Sequence, residues 1–120
     1  MLIVDDDIRN VYGLTNALEN LHMTVYTAQN GYECLELLEK HPEIDFVLLD
    51  IVMPEMDGVE ALKRIRSNPD WADLAIIIMT ARAMDRDQYL GYGANGYIMK
   101  PVRMEKVVAA IKELTGDQGA

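Results

Sequence analysis

Apolar residues occur along the chain in short β-branched or aliphatic runs that alternate with longer stretches of helical period, and this divides it into strands and helices. Residues 2–4, 24–28, 44–49, 75–79 and 96–99 form short aliphatic or β-branched runs and read as strands. Three of these runs, Leu2-Ile3-Val4, Phe46-Val47-Leu48-Leu49 and Ala75-Ile76-Ile77-Ile78-Met79, are apolar at every position, as strands covered by helices on both faces must be. They are expected at the centre of the sheet. Between the runs, Val11, Leu14, Leu18 and Leu21 fall on one helical stripe, as do Cys34/Leu35 with Leu38, Val59 with Leu62 and Ile65, and Val107/Val108 with Ile111 and Leu114. The stretch 84–92 opens on the polar turn Asp85-Arg86-Asp87-Gln88 before Tyr89 and Leu90, which predicts a short, mobile helix. Five strand–helix alternations predict a parallel sheet with right-handed crossovers and helices on both faces, a doubly wound α/β fold. Asn30-Gly31, His41-Pro42, Asn68-Pro69-Asp70 and residues 93–96 mark loops, and Asp57-Gly58 a turn leading into the helix at Val59.

Composition narrows the function classes. The 120 residues, 50% hydrophobic and 26% charged, fit one globular domain. A lone cysteine, Cys34, excludes an internal disulfide and favours a reducing compartment. Twenty acidic against 11 basic residues give a net charge of -9, which repels a phosphate backbone and disfavours unaided nucleic-acid binding. The apolar start Met1-Leu2-Ile3-Val4 is cut off by three aspartates, and the run 74–79 is far short of the roughly 20 residues a membrane span needs. A cytoplasmic domain without membrane contact is expected, from a parent that could itself be membrane-anchored. The tail at 116–120 is expected to be disordered.

In an open α/β sheet, ligands bind beyond the carboxyl ends of the strands. There the first strand ends in Asp5-Asp6-Asp7, the third in Asp50, the fourth in Thr80 and the fifth in Lys100-Pro101. Each has a plain structural reading: an aspartate after a strand caps a helix, a threonine closes a turn, a lysine before proline points into water. Asp7, just before Ile8, is assigned to capping. Asp5, Asp6 and Asp50 then remain without a nearby arginine in sequence, and carboxylates held close together call for a raised pKa or a divalent cation. Oxygen-only donors favour Mg²⁺ over zinc. Lys100 and Thr80 add a positive charge and a donor for the oxygens of an incoming anion. A phosphoryl group fits, and the Asp50 carboxylate could attack it in line to form an aspartyl phosphate. A phosphatase would also need a group that activates water, as in arrangements with a second aspartate two residues after the nucleophile. Here that position is Val52. A lasting acyl phosphate suits signalling better than turnover.

The motifs Leu2-Ile3-Val4-Asp5-Asp6-Asp7, Leu48-Leu49-Asp50-Ile51-Val52-Met53-Pro54-Glu55-Met56-Asp57-Gly58, Met79-Thr80-Ala81 and Gly93-Ala94-Asn95-Gly96-Tyr97-Ile98-Met99-Lys100-Pro101 stand in this order between residues 2 and 101. Together they resemble the receiver domains of two-component response regulators. The resemblance implies a receiver domain over residues 1–115, a flavodoxin-like (βα)5 fold and strand order 2-1-3-4-5. It implies that Asp50 accepts a phosphoryl group from a phosphohistidine on a histidine kinase or histidine phosphotransfer domain. Mg²⁺ would be held by Asp6, Asp50 and the Val52 carbonyl, and by Asp5 through water. Thr80 and Lys100 would bind phosphoryl oxygens, and Thr80 and Tyr97 would switch the surface of the fourth helix and fifth strand, a face that could also support a homodimer. Such a domain is a switch that catalyses its own phosphorylation, not a turnover enzyme. The peptide bond before Pro101 is expected to be cis, as in the family.

The wording Asp5-Asp6-Asp7-Ile8-Arg9-Asn10-Val11, with Lys100-Pro101-Val102, looks most like receivers of hybrid histidine kinases, in which case the parent would be a kinase; a free-standing single-domain regulator is the alternative. The first strand is also a residue or two shorter than such domains usually have. Ile8, Tyr12 and Thr15 read either as the flank of the core or as a docking patch for the histidine-bearing bundle. Tyr97 has a plain reading as a sheet-edge aromatic, and Met53, Met56, Met79 and Met99 as packing. Cys34 reads as buried filler, and His22 and His41 as loop residues remote from the strand ends. Arg82, two residues beyond Thr80, could steer partners or water. A flavin binder of the same fold would want a glycine- and hydroxyl-rich loop where this chain has three acids.

Overall fold

A computed structural model describes residues 1–51, 56–80 and 86–115, apart from the side chains of residues 86, 114 and 115. The chain runs β1 (Leu2–Val4), α1 (Ile8–Glu19), β2 (Tyr26–Ala28), α2 (Gly31–Lys40), β3 (Phe46–Asp50), α3 (Gly58–Arg66), a 3-10 turn (Pro69–Trp71), β4 (Ala75–Thr80), α4 (Arg86–Gly91), β5 (Gly96–Met99) and α5 (Met104–Thr115). All strands are parallel, in the order β2-β1-β3-β4-β5. This is the doubly wound arrangement expected from the alternation of periods, with the three fully apolar strands at its centre.

Side-chain alternation along each strand builds two cores. Leu2, Val4, Val47, Leu49, Ile76 and Ile78 face the layer holding Cys34, Leu38, Leu62 and Ile65 of α2 and α3. Ile3, Phe46, Leu48, Ile77, Met79 and Ile98 face the layer holding Leu14, Leu18 and Val107 of α1 and α5.

Several boundaries differ from the sequence expectation. The strand expected from residue 44 starts at Phe46, because the Ile44 N–H donates to the His41 carbonyl in a turn before pairing begins. Leu21 does not continue the α1 stripe: the helix ends at Glu19 with Asn20 as its C-cap, and Leu21 is exposed. Asn68-Pro69-Asp70 is more than a loop, since Asn68 caps a 3-10 turn whose first residue, Pro69, has no N–H to satisfy. The short helix expected over 84–92 is α4 where it is described; Met53 and Arg82 lie outside the described residues. The Lys100–Pro101 bond is cis. Among the described residues no helix is long and apolar enough to cross a membrane.

Candidate functional site at the carboxyl ends of the strands

The same alternation that puts Ile3, Leu48 and Ile98 over α1 and α5 continues to Asp5, Asp50 and Lys100, and gathers three ionisable groups above one layer. Asp5 and Asp50 are buried. Asp6 is exposed, yet Asp5, Asp6 and Asp50 each offer a carboxylate oxygen within 4.8 Å of the others. Asp7 stands apart as the α1 N-cap, accepting the Arg9 N–H at 3.0 Å. Its own backbone N–H donates to Asp5 Oδ1 at 2.9 Å.

The arginine missing from the local sequence is replaced by a lysine from across the sheet. Lys100 Nζ lies 2.9 Å from Asp50 Oδ1 and 3.7 Å from Asp5 Oδ2. Its backbone N–H donates to the Thr80 carbonyl at 2.8 Å. One lysine against clustered acids leaves excess negative charge. Burial raises the Asp50 pKa, the Lys100 hydrogen bond opposes it and the Asp5 charge adds to it, so the carboxyl is pushed up to about 6. For Lys100, burial acts downward but is outweighed by the hydrogen bond and charge of Asp50, with Asp5 and Asp6 adding, and its pKa is raised.

The surrounding backbone is held tightly. The Gly58 N–H donates to the Ile51 carbonyl at 2.9 Å, and a Cβ on Gly58 would collide with the Asp50 carbonyl and lie 2.8 Å from Ile51 Cα. Asp57, expected in a turn, caps α3 by accepting the Glu60 N–H at 2.9 Å. Entry into β5 is fixed by Arg66, which donates to the Gly93 carbonyl at 2.8 Å and to Asn95 Oδ1 at 2.9 Å. Gly93 has φ +109, a left-handed conformation that L side chains rarely adopt, and a Cβ there would lie 2.7 Å from Arg66 Cγ.

Thr80 is buried at the end of β4 and Tyr97 is half-buried on β5. Register pairs Ile78 with Tyr97 and Thr80 with Met99, which puts Thr80 and Tyr97 on the same sheet face, opposite the acids. Val52 lies outside the described residues. Ile8 and Tyr12 are 68% and 69% exposed and so do not flank a core; with Thr15 they line a groove of about 460 Å³ that reaches Asp5. Cys34 is buried and its thiol is pushed up to about 12 by desolvation, which makes it unreactive.

Sequence reasoning passed over Asn10. Its amide Nδ2 donates to Asp5 Oδ2 at 2.7 Å. The available signal was its place at i-4 and i-8 from Leu14 and Leu18, a polar side chain on an apolar stripe.

The clustered oxygens, with no nitrogen or sulfur ligand in the group among the described residues, fit a hard divalent cation. Comparison with known proteins places the architecture. The model of the response regulator receiver domain matches residues 1–112, and the chain belongs to that family. The CpxR homolog of Haemophilus influenzae, a transcriptional regulatory protein, is 37% identical over 116 residues, covering 95% of this chain and 49% of that protein. The chain thus spans about half the length of that curated relative. A chain of the CheX-CheY-BeF3-Mg²⁺ complex of Borrelia burgdorferi superposes with TM-score 0.87 at 31% identity, over 95% of this chain and 87% of that one. The receiver domain of a signal transduction histidine kinase from Syntrophus aciditrophicus superposes with TM-score 0.82 at 26% identity, over 99% and 92%. Receiver domains are phosphorylatable switches that bind Mg²⁺ at an acidic pocket and work with histidine kinases or phosphotransfer proteins.

Proposed function

We propose that Asp50 is the phosphoacceptor of this receiver. The observation that carries the assignment is the Lys100 ammonium 2.9 Å from a buried Asp50 oxygen, beside two further carboxylates. An Asp50 oxygen would attack phosphorus as the P–N bond of a phosphohistidine breaks and the imidazole leaves with the electron pair. Lys100 would then turn from the carboxylate to a phosphoryl oxygen, and Thr80 would donate to another. Asp6, Asp50 and the Val52 carbonyl would hold Mg²⁺, with Asp5 acting through water. When bound there, the cation would neutralise the negative charge that gathers during transfer. Thr80 and Tyr97, on one sheet face, would couple the phosphoryl group to the α4–β5 surface, because phosphorylation shifts a conformational equilibrium only through contacts that differ between the states.

The exposed Ile8 and Tyr12 on α1 serve as the docking patch for the helical phosphodonor. The parent is a hybrid histidine kinase: the wording around Asp5 and Lys100 supports this, and a histidine-kinase receiver superposes on nearly the whole chain. Reading the open reading frame on both sides of these residues separates this from a free-standing regulator. The phosphoacceptor is tested by incubating the protein with Mg²⁺ and acetyl phosphate, then measuring intact mass. Wild type should gain one phosphoryl group and Asp50→Asn none; equal gain in both would refute the assignment.

A further inference from the structure

Asn10 sits in the first turn of α1, where an asparagine is a weaker helix former than alanine or glutamine and is not needed as a cap, because Asp7 already fills that role. Its Nδ2 donates to Asp5 Oδ2 at 2.7 Å and lies 4.0 Å from the sulfur of buried Met79, whose register partner is Asp50. The amide therefore links the helix to the acid that follows β1 and to β4, the strand paired with the Asp50-bearing β3. With the Asp7 N–H on Oδ1, both oxygens of Asp5 have a donor that is independent of Lys100. The ammonium lies 0.8 Å nearer Asp50, at 2.9 against 3.7 Å. Asn10 and Lys100 also line one cavity, of about 460 Å³.

We propose that Asn10 is a positioning residue: its neutral amide fixes the Asp5 carboxylate for a divalent cation and leaves the Lys100 ammonium to Asp50, a role that rests on the cation reading of the acidic cluster. The neutrality of the donor matters. A cationic side chain here would cancel the Asp5 charge and repel the metal, whereas an apolar one would leave Oδ2 to Lys100 and draw the ammonium away from Asp50. Hydrogen-bond partners that orient ligating carboxylates typically control metal affinity by about 10- to 100-fold.

The test compares wild type, Asn10→Leu, which keeps the branching at Cγ and has no donor, and Asn10→Gln, which keeps an amide. Mg²⁺ dissociation constants are measured by NMR titration of the metal-free proteins, alongside thermal midpoints without metal and acetyl phosphate labelling at saturating Mg²⁺. Asn10→Leu should bind Mg²⁺ about 10-fold more weakly, with an unchanged metal-free midpoint and with labelling that recovers at saturating Mg²⁺. Asn10→Gln should lie closer to wild type. Wild-type affinity in Asn10→Leu would overturn the positioning role alone. So would equal weakening in both variants with a lowered metal-free midpoint, the signature of a merely structural contact. A wild-type protein whose Asp5, Asp6 and Asp50 resonances ignore Mg²⁺ would overturn the cation site, and this role with it.

Discussion

Asp50 is a carboxyl group 3% exposed whose nearest counter-charge is shared with Asp5. Its ionised form is disfavoured by burial more than Lys100 favours it, which is why its pKa rises from 3.8 to about 6. Since the folded value lies above the unfolded one, the resulting stabilisation is complete below pH 3.8 and is lost as pH rises through about 6. Asp50→Asn removes the buried charge without removing volume. In the absence of divalent cations it should be more stable than wild type at neutral pH by on the order of 1–3 kcal/mol, with the gap closing at the acid end. Urea unfolding at a series of pH values measures this. A mutant no more stable than wild type at neutral pH would contradict the account.

Element ends do much of the positioning. Asp7, Asn30, Asp57 and Asn68 each accept a backbone N–H at the start of a helix or 3-10 turn, and the first three start the helices that follow β1, β2 and β3. Two glycines just inside such caps face different neighbours. A Cβ on Gly58 would meet the backbone of Asp50 and Ile51, which cannot move without displacing the acid. A Cβ on Gly31 would meet the side chain of buried Met56 instead, with Sδ, Cγ and Cβ at 2.6, 2.7 and 2.9 Å. Gly58→Ala should therefore cost about 3 kcal/mol or more and move the Asp50 resonances. Gly31→Ala should cost less, about 1–2 kcal/mol, because Met56 must shift but the Asp50 backbone need not, and should leave the Asp50 resonances in place. Denaturant midpoints and NMR shifts separate the two, and equal effects would show that the Asp50 backbone is free to yield.

At the scale of the molecule, a chain of net charge -9 concentrates three acids at one end of its sheet. That arrangement opposes folding until a cation binds, and a ligand that binds only the folded state stabilises it by mass action, about 2.7 kcal/mol at a hundredfold excess over its dissociation constant. The thermal midpoint of wild type should climb with Mg²⁺ concentration, and that of Asp50→Asn should climb much less. Parallel slopes in the two proteins would mean that the ion binds elsewhere.

Much of this was readable from the linear chain, because side-chain period is a local property. Strand-type runs with apolar residues on both faces demand cover on both faces, and Asp5, Asp50, Thr80 and Lys100 announce themselves as polar residues that end such runs. The Asp7 cap and the strand order follow from neighbouring residues and from the motif series. What local pattern could not carry was distance between remote segments. That Lys100 reaches Asp50 more closely than Asp5, that Asn10 sits on Asp5, and that Gly58 abuts the Asp50 carbonyl depend on how helices settle on the sheet. Leu21 lost its place in the stripe for a different, local reason, as the helix ends at Glu19 with Asn20 as its C-cap. Periodicity assigns a residue to a face, but close contact among segments tens of residues apart is set by packing of the whole chain.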